Sequence, residues 1–164
     1  MTDHASKNPI DVEKYNHVIE SVYLSDIRLV SSRFDVKPQY YAAIAQAEES
    51  DATSVSRSFE CKINADVNDA DSAIVGFVDW DLKVKSDRKS LLRIQAKYLI
   101  IFSLRSQVDS ECAQVFVTRV GQTSTYPFFR SLTSVISGDS RADLPVLPLI
   151  KTDALSKYES KSEH

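Results

Sequence analysis

Between Leu91 and Arg105 an apolar residue stands at every second position: Leu92, Ile94, Ala96, Tyr98, Ile100, Phe102 and Leu104. A period of two gathers all of them on one face of an extended strand, whereas a helix would scatter them around its circumference. The chain is thereby committed to a sheet with one thoroughly apolar face. The opposite face changes character along its length, from Arg93, Gln95 and Lys97 to Leu99 and Ile101. It is wet at one end and apolar at the other, the pattern of a partner surface or a subunit contact.

Three more segments carry the same period. From Tyr23 to Phe34, one face reads Tyr23, Ser25, Ile27 and Leu29 and the other Leu24, Asp26, Arg28 and Val30. Phe59, Cys61, Ile63, Ala65 and Val67 oppose Ser58, Glu60, Lys62, Asn64 and Asp66, and Asn68 to Asp71 makes a turn. Such alternation marks a half-buried antiparallel strand. Ile74, Val78, Trp80, Leu82 and Val84 then oppose Asp79, Asp81, Lys83 and Lys85, and Ser86 to Lys89 reverses the chain.

Helical spacing appears elsewhere. Val12, Tyr15, Val18, Ile19 and Val22 recur at helical intervals, with Asn8 placed to cap and Pro9 at the first helical position. Pro38, Tyr40, Tyr41, Ile44 and Ala47 give a helical turn or two inside a long crossover that closes with the polar run Glu48 to Ser54. Cys112 to Val120 has the β-branched content of a strand, but Cys112, Val115, Phe116 and Arg119 after Asp109-Ser110-Glu111 favour a helix. Gly121 to Thr125 is expected to break it, and Thr125 to cap a second helix with Pro127 in its first turn. That helix buries Phe128 or Phe129, Leu132, Val135 and Ile136 and ends at Gly138. Leu144-Pro145-Val146-Leu147-Pro148-Leu149-Ile150 follows as an extended apolar strap. Asp153, Leu155 and Tyr158 suggest a short closing helix.

Length and charge set the function classes. A chain of 164 residues with 43% hydrophobic content fits one domain with a real core. We expect a disordered stretch over 1–9, a single domain over 10–158 and a solvated tail over 159–164. Twenty basic and 23 acidic residues give a net charge of −3 without a block of one sign, so nucleic acid is not an expected partner. No apolar run approaches the roughly 20 residues of a membrane span, so membrane insertion is not expected either and the predicted location is the cytoplasm. Cys61 and Cys112 lack metal or redox spacing and read as small buried hydrophobes.

Taken in order, these elements resemble the SecB family of export chaperones. Ile19-Glu20-Ser21-Val22-Tyr23-Leu24-Ser25-Asp26-Ile27 looks like the family's first strand, and Ile101-Phe102-Ser103-Leu104 like the end of its fourth. Tyr126-Pro127-Phe128-Phe129-Arg130 is similar to the motif that opens the second half of its long interrupted helix. Leu144 to Leu155 resembles its strap and the start of its last helix. The resemblance implies an α+β fold: a four-stranded antiparallel sheet with an interrupted long helix and a short C-terminal helix on one face. It also implies a homodimer or homotetramer and a hydrophobic groove that holds unfolded polypeptide.

A surface for many unrelated extended segments needs exposed apolar side chains for affinity and main-chain pairing that ignores sequence. Tyr126, Phe128, Phe129, Val146, Leu147 and Leu149, set against Leu99 and Ile101, are the candidates for it. Core packing competes for these positions, and the strap is the strongest of them because side chains along an extended chain cannot all point inward. The family presents acidic and apolar positions on its outer sheet face to the SecA motor; here they correspond to Asp26, Val30, Arg93 and Gln95. Only Asp26 keeps the acidic character, which puts SecA docking in question and brings in the SecB-like chaperones of toxin-antitoxin modules. A module specific for one protein or one hydrophobic ligand is the alternative class.

Catalysis has little to stand on. His4, His17 and His164 fall at or near the ends of the sequence, and there is no GxGxxG or P-loop. Asp79 and Asp81 share a strand face as a solvated pair balanced by Lys83 and Lys85. No enzyme, cofactor or metal is expected.

Overall fold

The computed structural model describes residues 11–49, 55–68, 72–86 and 89–148. Its elements run α1 (Val12–Ser21), β1 (Val22–Val36), α2 (Gln39–Glu49), β2 (Val55–Asn68), β3 (Ala73–Ser86), β4 (Lys89–Leu104) and α3 (Ser110–Ser140). The strands form one antiparallel sheet in the order β1-β4-β3-β2. The long alternating run of the sequence is thus an inner strand, paired on both sides, and β1 and β2 are the edges.

The period-two reading of β2, β3 and β4 holds residue by residue among the described side chains. Leu92, Ile94, Ala96, Tyr98, Ile100 and Phe102 are buried together with Ile74, Val78, Trp80, Leu82 and Val84. Helix α3 lies across this face, over β2, β3 and β4. It comes closest at Gly76, where an added Cβ would stand 2.8 Å from Val117 Cγ1 and 3.0 Å from Ile100 Cγ2. Glycine is therefore required there by proximity.

In β1 the regular alternation expected from the sequence fails. Register shifts between Leu24 and Asp26, and between Leu29 and Ser31, each insert an extra residue and turn the following side chains over. Leu24, Ile27 and Leu29 pair with Phe102, Ile100 and Tyr98 and so share the helix side, while Tyr23, Asp26 and Arg28 lie on the outer side. The strand also extends past Phe34 to Val36.

The helices differ from expectation at their ends. Asp11, not Asn8, caps α1: its carboxylate accepts from the amides of Glu13 and Lys14 at 3.1 and 3.2 Å. Asn8 and Pro9 lie outside the described residues. Val22, expected on the helix, is already extended (φ −105°, ψ 137°). The crossover helix α2 is longer than a turn or two, with 11 residues.

The expected interruption of the long helix is absent. Helix α3 runs unbroken for 31 residues through Gly121 and Pro127, capped by Asp109, which accepts from the Cys112 amide at 3.0 Å. Packing explains the override: Val117, Gly121, Phe129 and Thr133 are buried along one continuous stripe, and tertiary burial outweighs the local cost of an interior proline, about 3 kcal/mol. Thr125 is no cap; its hydroxyl donates back to the Gly121 carbonyl at 2.8 Å within the helix. Nor does Gly138 end the helix. Arg141 takes the left-handed conformation at φ 52°, and the Arg141 and Ala142 amides close onto the Gly138 and Ser137 carbonyls. The predicted closing helix at Asp153 to Tyr158 and the tail lie outside the described residues, as does the predicted N-terminal stretch.

Candidate polypeptide-binding surface

The strap runs antiparallel to α3 along one of its flanks. Ser137 Oγ accepts from the Leu144 amide at 2.8 Å, and Arg130 Nε donates to the Leu147 carbonyl at 2.8 Å. The Tyr126 hydroxyl donates to the carbonyl of Pro148. Residues 126, 130 and 137 fall on one line of a helix at roughly 100° per residue, so the three anchors come from one stripe. Two tyrosines of α2 complete the attachment, since the hydroxyls of Tyr40 and Tyr41 donate to the carbonyls of Ala142 and Ser140.

These anchors separate the eight candidate residues of the sequence. Tyr126 and Phe129 are core: Phe129 stacks on Trp80 at 5.4 Å, Tyr126 lies 5.3 Å from the same ring, and Phe59 joins them. Leu147 is also buried, at 7% exposure, whereas Val146 beside it is 66% exposed. Consecutive side chains of an extended strap point opposite ways, so it buries one and offers the other. Phe128 is half exposed but sits about 200° around the helix from Tyr126, on the flank facing Tyr98. Leu99 and Ile101 are on the outer side of the sheet, since their neighbours Tyr98, Ile100 and Phe102 face α3. A single surface built from all of them is therefore ruled out by strand parity. Leu149 lies outside the described residues.

Two apolar zones remain on the helix side. On the strap flank, Val146 is exposed, Leu144 is partly buried, and Phe59 and Ile63 are partly buried on β2, an edge strand among the described residues. On the other flank, Leu24, Leu29 and Phe128 are each close to half exposed, Leu29 and Phe128 against Tyr98 and Leu24 beside Phe102, at β1, an edge strand among the described residues. Sequence reasoning missed Leu24 and Leu29, because the bulges that turn them toward the helix side leave no mark in the residue pattern.

Of the four candidate motor-facing positions, Asp26, Arg93 and Gln95 do lie on the outer face and Val30 sits at the second bulge, half exposed. None is a free acidic position. Asp26 accepts from Arg28 Nε, and Arg93 is bound bidentately to Asp81 at 2.9 and 2.6 Å. Burial pushes the Asp81 carboxyl up, but hydrogen bonds from Arg93 and Lys83 and their charges outweigh it and hold the group below its usual range. Lys97, rather than Lys85, balances Asp79 at 3.6 Å. The Cys61 thiol is pushed up to about 12 by burial and by the charge of Asp79, and Cys112 is buried; neither is a poised nucleophile. His17 Nε2 contacts the Gln107 carbonyl and the Ser106 hydroxyl. Among the described residues no cluster of His, Cys, Asp or Glu could hold a metal, and no helix is long and apolar enough to cross a membrane.

Sheet order, the 31-residue helix laid across one face and the strap along its flank define the fold of the SecB-like chaperones. The likeness is to the SecB-like chaperone of Mycobacterium tuberculosis solved in complex with a ChAD peptide from the HigA1 antitoxin. The TM-score is 0.61 at 18% sequence identity, over 85% of this chain and 96% of that one. No family model and no curated protein matches the sequence.

Proposed function

We propose that this protein is a chaperone that holds non-native polypeptide in extended form along the strap flank of α3. The observation that carries the reading is the strap itself. Side chains of α3 tie its backbone down by three hydrogen bonds, Val146 is left in solvent, and Phe59 and Ile63 lie partly buried on β2, an edge strand of the described sheet. A fixed apolar wall next to an edge strand of the described sheet suits an extended segment of varied sequence. Because the neighbouring fold was solved with an antitoxin peptide, a segment of an antitoxin is the favoured client over an export precursor. The engaged state of Asp26 and Arg93 argues in the same direction, against a dock for SecA.

The β1 flank has a different occupant in this reading. Leu24 and Leu29 on the edge strand β1 and Phe128 on α3 leave apolar surface exposed, and a second copy of the chain covers it, giving a homodimer or a dimer of dimers. The experiment is binding of a panel of unfolded proteins and of antitoxin-derived peptides, with native mass recorded alongside. Submicromolar binding by an oligomer is the expected result. A monomer at micromolar concentration sinks the assembly, and indifference to unfolded chains and antitoxin peptides alike sinks the chaperone reading.

A further inference from the structure

The outer face of the sheet, turned away from α3 and the strap, is built from two unlike halves. At one end Phe77 pairs with Leu99 and Val75 with Ile101, leaving Phe77 and Tyr23 exposed. Each exposed ring has a cation over it: Lys97 Nζ is 5.7 Å from the Phe77 centroid and Arg105 Cζ 5.5 Å from that of Tyr23. At the other end lies a cavity of about 570 Å³, lined by Arg33, Lys62, Lys83, Arg93 and Lys97 together with Glu60, Asp79 and Asp81.

The charges of this face are not evenly available. Among the side chains described on the strands, seven cations of this face (Arg28, Arg33, Lys62, Lys83, Lys85, Arg93 and Lys97) stand against five carboxylates (Asp26, Asp35, Glu60, Asp79 and Asp81), in a chain whose net charge is −3. Every one of the five carboxylates is already paired: Asp26 with Arg28, Asp35 with Arg33, Glu60 with Lys83, Asp79 with Lys97, and Asp81 with both Lys83 and Arg93. Lys62, exposed on the edge strand, has no partner among the described residues. Arg28 meets its carboxylate through Nε alone, and a guanidinium carries five donors. An incoming anion therefore finds donors to spare, while an incoming cation finds no unengaged carboxylate among the described side chains.

We propose that this outer face is a second docking site, separate from the strap flank, for an acidic polypeptide segment that also carries aliphatic or aromatic side chains. Its carboxylates enter the cavity between Lys62 and Arg33, and its apolar side chains lie on Phe77, Leu99 and Ile101. A polypeptide fits better than nucleic acid. A polypeptide can set single carboxylates at Lys62 and Arg33, whereas a continuous phosphate backbone would have to pass over the five carboxylates of this face. Charge complementarity here sets which partner is accepted and how fast it arrives, and the contact weakens with salt.

The test uses the full-length native protein and fluorescence anisotropy. Three probes are compared: a labelled Ser-rich peptide bearing Glu and Leu, its counterpart with Lys in place of Glu, and a labelled oligothymidylate. The acidic peptide is expected to bind at least roughly tenfold more tightly than the lysine peptide and to lose that margin in high salt. Lys62→Glu, and independently Arg28→Glu, lower its affinity by about the same factor without lowering the melting temperature. Leu99→Ser lowers it too, while Val146→Ser on the strap flank leaves it unchanged. Unfolded-protein binding by Lys62→Glu stays at the wild-type level, which keeps this site separable from the proposed chaperone site. Equal binding of the lysine peptide, tighter binding of the oligothymidylate, indifference to Lys62→Glu, or loss through Val146→Ser each overturns the proposal.

Discussion

Trp80 Nε1 donates a buried hydrogen bond of 3.0 Å to Thr125 Oγ1, whose own proton goes to the Gly121 carbonyl at 2.8 Å. The sheet and the long helix are thus joined by a buried polar contact, at the ring on which Phe129 stacks. Replacing Thr125 by Val keeps the shape and leaves the indole N–H without an acceptor. The expected cost is about 1 to 3 kcal/mol. For a domain of this size that lowers the melting temperature by roughly 2 to 4 °C per kcal/mol. An unchanged melting temperature in calorimetry would show that water or another acceptor replaces the hydroxyl.

The glycines separate close approach from mere permissiveness. Gly76→Ala forces a methyl to within 3 Å of Val117 and Ile100, where helix and sheet backbones are both fixed, so destabilisation of about 1 to 3 kcal/mol is expected. Gly138 has nothing within 4 Å of its missing Cβ and lies inside the last turns of α3. Gly138→Ala should therefore stabilise the protein by roughly 0.5 to 1 kcal/mol. Urea denaturation of the two variants should shift in opposite directions; a shift in one common direction contradicts the local geometry.

The same positions show which parts of the fold are legible in the sequence. Where one face of a strand is buried and the other wet, as from Phe59 to Ile63 and from Leu92 to Phe102, periodicity specifies register and facing. Local breakers misled because α3 is held from outside. Gly121 and Pro127 carry the sequence mark of a break, yet the stripe from Val117 through Phe129 to Thr133 is buried against the sheet as one unit. Bulges are silent in composition, so the facing of Leu24 and Leu29 was beyond reach. The candidate site fared worse than the fold for a related reason. An aromatic headed by Pro127 reads the same whether it fills a core, as Phe129 does, or meets solvent, as Phe128 does.

Asp81 predicts the acid limb of the stability profile. Its folded-state carboxyl lies below its ordinary value of 3.8 because Arg93 and Lys83 outweigh the effect of burial. A depressed folded-state value stabilises the fold fully above the unfolded-state pKa and loses that contribution as pH falls through the folded one. Wild-type melting temperature should thus drop steeply below about pH 4. Asp81→Asn should melt lower at neutral pH, by the worth of a charge-assisted hydrogen bond, about 1.5 to 3 kcal/mol, and respond less to acid. Parallel acid limbs for the two proteins would show that other carboxylates govern acid unfolding.

Val146 and Leu147 are neighbours on the strap with opposite fates, which makes them a matched test of what the strap is for. Leu147 is packed under Arg130 and the helix, so Leu147→Ser leaves a cavity and a buried hydroxyl and should cost about 2 to 5 kcal/mol of stability. Any fall in client binding would then follow from unfolding. Val146 meets solvent, so Val146→Ser should leave the melting temperature within about 1 °C of wild type. If a client buries that side chain, its loss removes up to about 1.5 kcal/mol of apolar contact, close to a tenfold weakening. Thermal denaturation read beside suppression of aggregation distinguishes the two effects. Full holding activity in a stably folded Val146→Ser variant would place the client elsewhere on the molecule and remove the strap flank from the mechanism.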